Sequence, residues 1–157
     1  MLDAAAQKAV AAGRQHIADY IRLKATNDAI RTAAVGWLID SFLELASDEM
    51  RDRPNLKIER EEPHSFTRGN STMVGSLIDV TQGVRKLSLA AGWTRAPSHG
   101  VMQKGALAYA RFTHRGMPKE SVEIRLVHGE ELPEWLDDSN RPIGVEELRR
   151  HLAILFS

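Results

Sequence analysis

The sequence contains no cysteine. Disulfides, cysteine-ligated zinc, iron–sulfur clusters and thiol nucleophiles are therefore excluded. The absence suits a reducing compartment, and the chain reads as cytoplasmic. Charge of one sign is also lacking. The 21 lysines and arginines are matched by 21 aspartates and glutamates, for a formal net charge of zero. Domains that grip nucleic acid usually carry a basic surplus, so a nucleic-acid partner is not expected. No apolar run approaches the ~18 residues of a membrane span, and a membrane role is not expected either. At the N-terminus Asp3, Gln7, Lys8 and Arg14 interrupt any apolar stretch, so it does not read as a secretory signal.

The familiar catalytic signatures are missing as well. There is no G-x-S-x-G, no H-E-x-x-H and no Walker loop. Gly100 and Gly105 have the glycine spacing of a Walker loop, but Ala106 and Leu107 follow where a lysine and a hydroxyl residue would stand. The six histidines, at 16, 64, 99, 114, 128 and 151, include no pair at close ligand spacing. Neither a metal site nor a cofactor is expected.

What is present is an ordinary globular composition, 43% hydrophobic and 27% charged, in 157 residues. A chain of that size buries roughly 68–70% of its unfolded surface, so a single domain over 1–157 is the expectation. Apolar residues at helical spacing (Ala6, Ala9, Val10, Ile17, Tyr20, Ile21) predict a helix over 3–24. Thr26, Asn27 and Asp28 offer the chemistry of a new helix start. They predict a second helix over 28–51, ending before Pro54. Its apolar residues form two adjacent lines: Ile30, Ala34, Leu38 and Leu45 beside Val35, Ile39 and Phe42. So wide a face marks the central helix.

From Leu56 the period becomes two. Strands are predicted at 56–60, 73–80, 84–93, 106–114 and 122–127. Thr81-Gln82-Gly83 and Arg115-Gly116-Met117-Pro118 are turn-length links, too short for parallel crossovers. Val145, Leu148, Leu152 and Leu155 predict a closing helix over 145–156. The expected fold is α+β: two N-terminal helices, an antiparallel meander of four or five strands, and a C-terminal helix packed on one sheet face. Parity turns Val74, Ile78, Val80, Leu87, Leu89, Trp93, Ala106, Ala108, Ala110, Phe112, Val122, Ile124 and Leu126 inward. It turns Asp79, Lys86, Tyr109, Arg111, Glu123 and Arg125 outward.

Two features point to a site. Between Gly83 and His128 eight basic residues face only Glu120 and Glu123, a local surplus of six positive charges. This surplus suits an anionic small molecule or an acidic protein surface; Glu130, Glu131, Glu134, Asp137 and Asp138 follow and could equally neutralise it. The connection Thr94–Lys104 is also longer than the two to five residues typical of hairpins, and long loops on rigid scaffolds tend to carry function. Meander pairing gathers Trp93, Arg95, His99, Lys104 and His128 at one rim of the sheet, with Trp135 in reach. The opposite rim receives Gln82, His114, Arg115 and Lys119.

The leading expectation is a non-catalytic binding module, with Arg95 and Lys104 holding an anion against Trp93. A second reading is a small enzyme in which His99 or His128 acts as general acid or base, oriented by Glu130 or Glu131. A third is an adaptor that forms a homodimer or larger homo-oligomer through Ala5, Ala6, Ala9 and Ala12 of the first helix.

Overall fold

A computed structural model describes residues 15–102 and 105–157, with side chains from Arg22 onward. Its contacts group the chain into two units, one ending at Ala33 and one spanning Ala34–Ser157. The elements are helix α1 (Gln15–Glu49), strands β1 (Lys57–Arg68), β2 (Ser71–Gln82), β3 (Arg85–Trp93), β4 (Ala108–Arg115), β5 (Val122–Val127) and β6 (Glu134–Leu136), and helix α2 (Val145–Phe156). The chain is thus an α+β protein with one long N-terminal helix, a six-stranded antiparallel sheet and a C-terminal helix.

The expected break between two N-terminal helices does not occur. Around Thr26-Asn27-Asp28 the capping chemistry is spent inside a continuous helix. Thr26 Oγ1 donates to the Arg22 carbonyl at 3.0 Å and Thr32 Oγ1 to the Asp28 carbonyl at 2.9 Å. Asp28 accepts from Arg31 at 2.8 Å, one turn on. Such back-bonding satisfies hydroxyls without ending a helix. The rest of the predicted first helix, with Ala5, Ala6, Ala9 and Ala12, lies outside the described residues.

In the larger unit the strands pair in chain order, β1 to β6. Gly83, at φ 62°, makes the β2–β3 turn. The register aligns Ile78, Leu89 and Phe112 across β2, β3 and β4, and Val80 with Leu87 and His114. Ile124 stands opposite Ala110, and Leu126 opposite Ala108. These residues are buried, as are Leu38, Ile39, Phe42 and Ala46 of α1 and Leu148, Leu152 and Leu155 of α2. Phe42 meets the edge of Phe112 with ring centroids 6.1 Å apart. The inward parity holds, and both helices cover that face.

Two strand expectations are corrected. β1 continues to Arg68 through a bulge between Glu61 and His64, and Pro63 is admitted because β1 is an edge strand. The short β6 was not expected at all; its Trp135 pairs with Leu126 and is buried. The indole N–H donates to the Ala34 carbonyl at 3.3 Å, so Trp135 belongs to the core and not to the rim. Trp135→Phe loses that bond and part of the indole's packing. We expect a loss of about 2 kcal/mol of stability, measured by urea unfolding.

The second sheet face is not simply solvated, which corrects the outward placement of Tyr109 as solvent-facing and the inward placement of Ala106, which lies before β4 begins. Phe66 and Met102 pack there on buried Met73, Ala106 and Tyr109. Arg68 of β1 donates to Glu123 of β5 at 2.5 Å, and Arg111 of β4 donates to the Thr67 carbonyl at 3.0 Å. In a flat sheet three strand spacings would separate β1 from β4 by about 14 Å. The β1–β2 hairpin therefore curls back over this face. Gly75 and Gly92 stand directly opposite each other in β2 and β3, where the two backbones approach too closely for any side chain.

Candidate functional site

Of the rim residues, the structure brings together Trp93, Arg95 and His99. Trp93 ends β3, and the Arg95 guanidinium stacks on its ring, 3.7 Å from the centroid. Arg95 Nε donates to the Val74 carbonyl at 3.2 Å, and its backbone N–H donates to His99 Nδ1 at 3.2 Å. His99 closes the short 3-10 turn Pro97–His99. Glu62 lies within the field of Arg95, and its carboxyl is held below the usual range, chiefly by Arg60, then by Ser76. Arg95 is thus held against Trp93 with its Nε on the Val74 carbonyl. His128 is exposed just beyond β5 and takes no part in these contacts. Lys104 lies outside the described residues. Within the long loop Met102 packs on the second core, whereas Val101 is 76% exposed.

A different site forms on the helix-covered face, between β4, β5, α2 and the 137–143 loop. Here a cavity of about 450 Å³ opens, within the 300–1,000 Å³ typical of small-molecule sites. Phe112, Val122, Ile124, Pro142 and Ile143 supply its apolar surface. Its polar wall includes His151, Arg150, Arg141, Glu147 and the acidic turn at Asp137 and Asp138.

The loop holds its shape by local bonds. Asp137 Oδ1 accepts from the backbone N–H groups of Ser139 at 2.8 Å and Arg141 at 2.9 Å, and Oδ2 accepts from Arg141 Nε at 3.1 Å. These donors, the Arg141 N–H foremost, hold the Asp137 carboxyl below its usual range. Arg125 reaches back to the Asp137 carbonyl and to Asn140 Oδ1. Glu147 Oε2 accepts the Gly144 N–H at 2.8 Å, which caps α2.

His151 comes from α2 and is 2% exposed. Its ring stacks on Phe112 at 4.1 Å and 7°. Its Nδ1 lies 2.8 Å from Nε2 of buried His114 on β4. Burial pushes both imidazoles toward the neutral form; Arg150 adds to this, and Glu120 opposes it at His114. His151 falls to about 3. One ring must donate and the other accept, so the pair is satisfied when neutral and loses its bond once both rings are protonated. A histidine shifted so far is neutral near pH 7 and weakly basic, poorly matched to proton transfer. The wall can form hydrogen bonds through its histidine and charged groups.

Sequence reading placed His114 on the plain rim and assigned His151 no role. The available signal was parity: His114 shares the inward face of Phe112, and His151 falls on the Leu148–Leu152–Leu155 side of α2.

These features define a class by architecture: an α+β sheet protein with a ligand-sized cavity between sheet and C-terminal helix. Among known proteins the chain matches no protein-family profile, no curated protein and no solved structure. Among the described residues no helix is long and apolar enough to cross a membrane, and no three histidine or acidic side chains converge as a metal site.

Proposed function

We propose that this protein is a non-catalytic small-molecule-binding module whose site is the cavity between β4, β5 and α2. The observation that carries the reading is an apolar floor of Phe112, Val122 and Ile124 beside a buried imidazole that is hydrogen-bonded to its partner. An apolar surface with a few fixed polar groups is the usual make-up of a ligand pocket. The rim at Trp93 supports the reading less well, because Arg95 is engaged by Trp93, Val74 and the field of Glu62. The long loop then serves chiefly to place Met102 on the second core.

A fragment library screened by ligand-observed NMR tests this. Hits are expected to shift the amide signals of Phe112, Ile124, Ile143 and His151. Val122→Trp, which places an indole in the cavity, should abolish those shifts while leaving the sheet signals in place. Hits that shift Trp93, Arg95 and His99 instead would move the site to the rim. A screen without hits on the folded protein would end the small-molecule reading.

A further inference from the structure

We infer that the cavity is built for a small carboxylate with an apolar body, anchored by Arg150. The inference rests on the cavity being the binding site and adds the class of ligand. It comes from an inventory of the charges around the cavity.

Arg141 is neutralised by Asp137, whose carboxylate is already filled by two backbone N–H groups and that guanidinium. Glu147 is occupied in capping α2. Asp138 is exposed, and its field reaches Arg68. Arg150 remains: among the described residues no hydrogen bond or ion pair engages its guanidinium. It lies beside His151 on α2, exposed at the mouth of the cavity, and its positive charge is felt at both buried histidines.

A carboxylate at the mouth would take the two parallel N–H bonds that guanidinium offers. The rest of the molecule would then lie over Phe112, Val122 and Ile124. His151 Nδ1 is taken by His114, so Nε2 is the ring atom left for a ligand. If the Nε2–H of His114 donates across the pair, His151 carries its proton on Nε2 and can donate to a ligand oxygen. An amine would find the carboxylates of Asp137 and Glu147 already bonded within the chain and only the exposed Asp138 to pair with.

The test uses naphthoate and octanoate, ionised at neutral pH, and their neutral amides, titrated into the full chain and followed by amide chemical shifts. Each acid should shift Phe112, Ile124 and His151 and bind roughly fivefold to twentyfold more tightly than its amide, the range for a charge-assisted bond at a partly exposed site. Arg150→Gln should remove most of that preference without changing the unfolding midpoint appreciably.

Equal binding of acid and amide in the cavity would overturn the carboxylate class and leave the site standing. Undiminished preference in Arg150→Gln would overturn the anchor. Shifts confined to Trp93, Arg95 and His99, or no shifts from any of the four compounds, would overturn the site and the inference together.

Discussion

Gly75→Ala and Gly92→Ala should each destabilise the protein by about 3 kcal/mol or more, at or above the upper range for overpacking a core. The two glycines face each other across β2 and β3. A Cβ at Gly75 would fall on the carbonyl of Ala91, and one at Gly92 on the carbonyl of Val74. Both obstacles are backbone atoms, so no rotamer change can relieve them. The strands would have to separate where the β1–β2 hairpin curls over the second core. That movement would pull Phe66 and Met73 from Tyr109 and Arg68 from Glu123. Gly36 in α1 is the control. A methyl there meets nothing within 4 Å, and Gly36→Ala should be neutral or stabilise by up to about 1 kcal/mol through helix propensity. Urea titration of the three variants decides the matter. A loss below about 1 kcal/mol at both strand positions would show that the curl does not depend on them.

Acid should weaken the fold through the His114–His151 pair. An unfolded histidine takes up its proton near pH 6.5. In the folded protein burial holds both imidazoles neutral to lower pH, His151 down to about 3. The unfolded chain therefore binds more protons across that interval. The stability contributed by the pair is complete above pH 6.5 and is lost as pH falls from 6.5 toward 3. Between about pH 7 and pH 4 we expect a loss on the order of 3 kcal/mol from this source. The double variant His114→Leu/His151→Phe replaces both partners with apolar groups, which can be nearly neutral at pH 7. It should lose distinctly less on acidification, because the carboxylates and the remaining histidines titrate in both proteins. Parallel stability curves for wild type and double variant would show that the pair is not the acid-sensitive element.

Much of the fold was legible because its signals are local. The alternation of 84–93 and 106–114 set which residues face the helices. Short links at Gly83 and Gly116 set strand order, since both are too short for the dozen or more residues of a parallel crossover. The last helix was read from its apolar spacing and has the predicted bounds. The candidate site was less legible. Chain order placed Trp93, Arg95 and His99 together, but the carbonyl that Arg95 Nε meets, Val74 O, comes from β2. The cavity draws its floor from β4 and β5 and its wall from α2, and no spacing along the chain records that convergence.

By itself, then, the sequence determined the α+β class, the meander order and the inward face, because periodicity and turn length act over a few residues. Tertiary structure decided the rest. It carried α1 through a credible capping signal by giving Thr26, Asp28 and Thr32 partners within the helix. It curled the sheet at Gly75 and Gly92, whose closeness depends on strand register and not on either residue alone. It also paired His114 with His151, 37 residues apart, because the fold buries both rings side by side, and a cavity opens where α2 lies beside β5.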